Sequence, residues 1–111
     1  MITIEALKRY GANTQEGLTR CMNNEEFYIM LVKKALADNR LGQLEQQIKE
    51  KDLEAAFETA HALKGMYSNL SLDPLTRPVS EITELLRSKS DVDYSALVAE
   101  AKKQFTALTA L

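Results

Sequence analysis

Apolar residues recur along this chain at steps of three and four, and no stretch alternates with the two-residue period of a half-buried strand. Thr3 is placed to cap a short helix running through Tyr10 and closed by Gly11. Asn13 or Thr14 starts a second short helix through Met22, and Asn23-Asn24-Glu25-Glu26 is the start signal of a longer one. That helix carries Phe27, Met30 and Leu31, then Leu41, Leu44 and Ile48. Asp38-Asn39-Arg40, with Gly42 beyond, is its weak stretch, and the spacing predicts one long, bent helix. Lys51-Asp52 reads as a tight turn, with Asp52 capping a helix whose stripe is Leu53, Ala56, Phe57, Ala60, Leu63, Tyr67 and Leu70. Asp73-Pro74 has the order of cap then proline, ahead of Leu75, Val79, Ile82 and Leu86. Pro78 lacks a backbone donor and draws the expected start of that helix towards Thr76. Asp91 or Asp93 caps the last helix, along which Tyr94, Leu97, Val98, Ala101, Phe105 and Leu108 repeat. Four substantial amphipathic helices with short connections predict an all-α fold, an antiparallel up-down-up-down four-helix bundle with short extra helices at the N-terminus. No linker, repeat or low-complexity segment interrupts residues 1–111, which read as a single helical domain.

Composition narrows the function classes. With 111 residues the chain has room for one core. A net charge of -2, with acids and bases interspersed, predicts neither nucleic-acid binding nor adhesion to acidic membranes. No apolar run approaches the ~18 residues of a membrane span, and MITIEALKRY lacks the apolar centre of a signal peptide. A cytoplasmic, monomeric protein is expected, and Met1 at the head of a whole domain favours a stand-alone one. The lone Cys21 has no internal disulfide partner and reads as structural. One histidine and one cysteine leave no ordinary ligand set for a structural zinc, so no metal is expected.

The chemistry that remains centres on Ala60-His61-Ala62-Leu63-Lys64-Gly65-Met66-Tyr67-Ser68. On a helix, the stripe centres on Ala56, Ala60 and Tyr67, and His61 falls roughly 130° away, towards solvent. Lys64 lies one turn along, about 5–6 Å away at the Cβ level. Gly65 and Ser68 follow on the same strip. A glycine inside an exposed helix costs about 1 kcal/mol relative to alanine; here it faces the histidine's side, which favours close approach of another molecule over packing. An imidazole with open space beside it and an ammonium within reach suits phosphoryl transfer, which is mostly positioning and charge neutralisation. Neutral imidazole is a competent nucleophile near neutral pH. Geometry alone also accommodates a plain surface histidine, and Glu54 and Glu58 on a nearby strip as plain surface ion-pair formers.

The segment AHALKGMYSNLSL closely resembles the motif of histidine-containing phosphotransfer (HPt) domains, Ala-His-x-Leu-Lys-Gly followed by small residues and a hydrophobic one. Upstream, EGLTRCMNNEEFYIML looks like a Gly-Leu-x-Arg…Asn-x-x-x-Tyr segment of many bacterial members, here Gly17, Leu18, Arg20, Asn24 and Tyr28. The resemblance extends over essentially the whole chain and is specific in these two blocks. It implies that His61 accepts phosphate from the phosphoaspartate of a receiver domain and passes it to another receiver's aspartate. It further implies that Lys64 supports the phosphohistidine and that Gly65 clears the approach. The partners would be receiver domains of response regulators or hybrid histidine kinases, which supply the Mg²⁺ and most catalytic groups. The chain itself would be a phosphocarrier with no cofactor of its own, not an enzyme. Phe57, one turn before His61, is a candidate partner contact, and Ser68 part of the local geometry. Ser71 stands where glycine is common in the family, and Met66 and Tyr67 are bulkier than usual; the angular reading sends Tyr67 into the core and Met66 away from the His61 strip.

Two other classes compete. A helical adaptor that binds receivers or other signalling domains without phosphorylation has no evident need for His61, Lys64 and Gly65 together. An enzyme with its own active site would need a phosphate-cradling glycine loop or a paired nucleophile and base, and neither is present.

Overall fold

Four helices begin at a side chain that takes up one of the free backbone N–H groups of the first turn. The computed structural model, which describes residues 1–111, places Thr3 ahead of α1 (Ile4–Tyr10), Asn13 ahead of α2 (Thr14–Arg20), Asn24 ahead of α3 (Glu25–Ala37) and Asp52 ahead of α5 (Leu53–Asn69). Between the last two stands α4 (Arg40–Lys49), and α6 (Asp73–Arg87) and α7 (Ser95–Thr109) complete an all-helical bundle. Gly11 closes α1 at φ 116°, donating to the carbonyls of Leu7 and Lys8. α5 packs against both α4 and α6, α6 packs in turn against α7, and Lys102 of α7 reaches back to Glu45 of α4 at 3.1 Å. Twenty-two buried residues form one core cluster, to which α5 contributes Ala56, Ala60, Leu63 and Tyr67. No helix is long and apolar enough to cross a membrane.

Several local expectations need correction. The long helix is two. Asp38 is extended (φ -79°, ψ 131°), and its carboxylate accepts the Arg40 backbone N–H at 2.9 Å and two guanidinium nitrogens at 2.7–3.0 Å. This side-chain alternative competes with the helical hydrogen bond and ends α3 at Ala37. The break also resets the helical phase. At ~100° per residue a continuous helix would put Phe27 and Met30 on the Leu41 face and Val32 opposite it. In the fold α3 instead buries Tyr28, Val32 and Ala35 and leaves Phe27 and Met30 exposed, with Leu31 only partly covered.

Three helix ends move by a few residues. α2 stops at Arg20, since Met22 and Asn23 take left-handed φ of 56° and 59°. α6 starts at Asp73, not at Thr76; Asp73 is its first residue and the buried Leu72 stands at the cap position. Pro78 lies inside that helix, buried, and Thr76 Oγ1 donates to the Leu72 carbonyl at 3.0 Å. Neither aspartate stands at the cap of α7: that position is taken by Tyr94, a buried core side chain, and Asp93, one residue earlier, accepts the Ser95 N–H at 2.9 Å.

Tyr28 ties the N-terminal helices to α5. It is fully buried, and its hydroxyl donates to the Leu70 carbonyl at 2.7 Å. Gly17 makes room for the ring, because a Cβ there would lie 2.6–2.8 Å from its Cε1, Cζ and Oη atoms. The hydroxyl bond leaves this ring nowhere to go. Gly17→Ala is therefore expected to destabilise the fold by about 1–3 kcal/mol, the usual cost of overpacking, despite alanine's better helix propensity; urea denaturation measures it.

Burial pushes the Tyr28 phenol up to about 12, from an ordinary value near 10. The folded state thus holds this proton more tightly than the unfolded chain does. Its contribution to stability is complete below pH ~10 and declines above that, through pH ~12. Denaturation midpoints measured between pH 8 and 12 should fall less steeply for Tyr28→Phe than for the wild type. At neutral pH the same variant should lose about 1–2 kcal/mol with the hydrogen bond to Leu70.

Candidate functional site

The buried stripe of α5 fixes its rotation, and this leaves His61, Gly65 and Ser68 exposed on the side that leans towards α6, with Phe57 and Lys64 half-buried. The His61 imidazole stacks on the Phe57 ring, with 5.7 Å between centroids and 21° between planes. A Cβ built on Gly65 would meet nothing within 4 Å, so no internal packing explains the glycine. The Ser68 hydroxyl donates back to the Gly65 carbonyl at 3.2 Å. Met66 lies on the opposite flank of α5, where its sulfur accepts from the Arg40 guanidinium at 3.7 Å. Tyr67 is fully buried, and burial raises the ionisation of its phenol above the ordinary range.

The tertiary fold adds two residues that inspection of the chain did not single out. Lys64 Nζ stands 3.5 Å from Glu84 of α6, and Arg87 donates to the same carboxylate at 3.3 and 3.4 Å. The Arg87 guanidinium also lies over the Phe57 ring, 5.0 Å from its centroid. A chain of contacts results: His61 on Phe57, Phe57 under Arg87, Arg87 and Lys64 on Glu84. The hydrogen bonds from Arg87, then its charge and the weaker bond from Lys64, hold the Glu84 carboxyl below the usual carboxylate range. Glu54 and Glu58 join no ion pair. The Glu84–Arg87 spacing of three was readable as a helical pair, but its register against Lys64 comes only from how α5 and α6 pack.

A second set of contacts anchors the end of the helix that bears His61. Arg20 donates to the carbonyls of Ser68 and Asn69 at 3.0 and 3.2 Å and to Ser71 Oγ at 2.8 Å. The last carbonyls of α5 have no helical partners, and a cation there also suits the helix dipole. Glu16 completes the group, taking the other Arg20 nitrogen at 2.7 Å and the Ser71 hydroxyl at 3.0 Å. Both bonds, that from Arg20 first, lower its carboxyl. Ser71 itself is left-handed, with φ 54°.

Residues 34–111 of this chain match the family model described as Hpt domain. The chain belongs to the Hpt domain family. The matched segment begins in the last turn of α3 and includes α4 to α7, and with them His61, Lys64, Gly65, Glu84 and Arg87. Gly17, Arg20 and Tyr28 lie before it, although they clamp a helix within it. No curated protein and no solved structure matches the chain significantly. Hpt domains are phosphocarriers of histidine phosphorelays in two-component signalling, not enzymes, and they work with receiver domains. In this Hpt domain no group of three histidine, cysteine or acidic side chains stands ready to hold a metal ion.

Gly65 gives a direct test of what its bare position is for. Gly65→Ala should stabilise the fold by about 0.5–1 kcal/mol, because helix propensity improves and nothing clashes. If the open space serves phosphoryl transfer, the same variant should exchange phosphate more slowly. Paired measurements of thermal stability and transfer rate check both halves.

Proposed function

We propose that this protein relays phosphoryl groups between receiver domains, with His61 as the acceptor. One observation carries the reading: a member of a histidine phosphotransfer family has a single histidine, and that histidine is exposed on the central helix beside an open glycine. A nitrogen lone pair of the imidazole attacks phosphorus, opposite the acyl-phosphate oxygen of the donor receiver's phosphoaspartate. The P–O bond breaks, and its electron pair returns to the aspartate as carboxylate. The proton on the other ring nitrogen is held until the N–P bond has formed and is then shared with solvent. Attack by the carboxylate of a second receiver reverses these events and completes the relay. The Mg²⁺ belongs to the receiver in this reading.

Each residue near His61 has a part in that transfer. Phe57 limits the imidazole's rotation by stacking and offers its free edge to the incoming partner. Gly65 lets the receiver's loops approach the helix, and Lys64 neutralises phosphoryl oxygens in transit. Ser68 keeps the strip beyond Gly65 small.

Mixing the protein with a phosphorylated receiver and Mg²⁺ should yield an acid-labile, base-stable phosphoryl group. His61→Gln should abolish it. Lys64→Ala should keep the fold and slow transfer about tenfold or more, as loss of one positioned charge contact does in such chemistry. Label persisting in His61→Gln, or no label from any receiver of the source organism, would overturn the assignment.

A further inference from the structure

The Lys64 ammonium is already engaged. Its partner, Glu84, sits on the neighbouring helix and carries a second cation, and the two contacts differ in kind. Arg87 grips both oxygens of the carboxylate, through Nε at 3.3 Å and Nη2 at 3.4 Å. Lys64 makes one contact to Oε2 at 3.5 Å, at the outer limit for a hydrogen bond. The lysine is thus the loosely held member of the triad, and its departure would not leave the carboxylate unpaired. Both Glu84 and Arg87 are more than half exposed, so the exchange takes place in water and needs no opening of the core.

We propose that Glu84 is a positioning residue that stands in for the phosphoryl group. While His61 is unmodified, Glu84 holds the ammonium of Lys64, a residue one turn along the same helix from His61. When a phosphoryl group arrives on His61, Lys64 moves to its oxygens and Arg87 alone keeps Glu84 neutralised. The inference rests on His61 being the acceptor. Its physical basis is competition: a phosphoryl dianion offers three oxygens and twice the charge of a carboxylate. Because Glu84 keeps drawing the lysine back, it also limits how stable the phosphohistidine becomes, which favours onward transfer by a carrier. The fall in the Glu84 carboxyl is consistent with this double engagement.

Phosphoramidate tests the idea without any receiver. An imidazole nitrogen displaces ammonia from phosphorus, so the N–P bond of the reagent breaks as that of phosphohistidine forms. The ratio of phosphorylated to free protein, at fixed phosphoramidate and ammonia, is then read by ³¹P NMR. Glu84→Gln should raise that ratio about two- to fivefold, the range that an exposed charge pair supports. In a Lys64→Ala background the same substitution should have less than half of this effect, a coupling that a purely structural role for Glu84 would not produce. An unchanged ratio in Glu84→Gln, or an equal change with and without Lys64, overturns the stand-in role while leaving His61 as acceptor. Failure of His61 to take phosphate from phosphoramidate and from phosphorylated receivers alike would remove the parent reading, and this one with it.

Discussion

Burial of Ala56, Ala60, Leu63 and Tyr67 between α4 and α6 fixes the rotation of α5 about its axis, and the whole His61 surface depends on that rotation. A turn of one residue's worth, ~100°, would carry the imidazole into the core or across to the Met66 flank. The stripe holds because its four members have no accessible surface, and each large apolar side chain so buried contributes about 1.5–3 kcal/mol. His61 thus takes its direction from the buried face of the helix, while Phe57 stacks on the ring itself. The proposed chemistry needs an accessible ring in a fixed direction, and packing on the far side of the helix supplies the direction.

Length along the axis is controlled separately, at the end of α5. Arg20 collects the loose carbonyls, Tyr28 takes that of Leu70, and the Asn13 backbone N–H bonds the Ser71 carbonyl at 2.9 Å. Ser71 has a left-handed backbone, and a side chain adopts φ 54° only at some cost. In this chain the serine hydroxyl is bonded to both Arg20 and Glu16, which offsets that cost and joins the turn to α2. The N-terminal helices, outside the matched family segment, thereby become part of the mounting of the helix that bears His61.

The polar layer over His61 is of a different strength class. Glu84, Arg87 and Lys64 meet in solvent, where ion pairs are weak and exchange readily. Rigid packing below and soft charges above divide the work well for a carrier. In the proposed transfer the ring stays in place, while its surroundings accept and release a dianion.

Much of this was legible in the chain. The caps Thr3, Asn13, Asn24 and Asp52, the α5 stripe and the outward phase of His61 follow from local rules, because each depends on residues within one or two turns. The family motif around His61 is likewise contiguous. Other features were not local. The split between α3 and α4 turned on an Asp38–Arg40 pair, and the reset of phase then exchanged Phe27 and Met30 for Tyr28, Val32 and Ala35 in the core. Periodicity cannot register such a reset, since each half looks regular alone. Glu84 and Arg87 reached the His61 surface only through the register of α6 on α5, twenty and more residues away in sequence. The proposed phosphate carrier is legible in the chain alone, because nucleophile, glycine and lysine share one helix. Which acid holds that lysine was decided by tertiary packing, because a contact between helices depends on how two surfaces interlock.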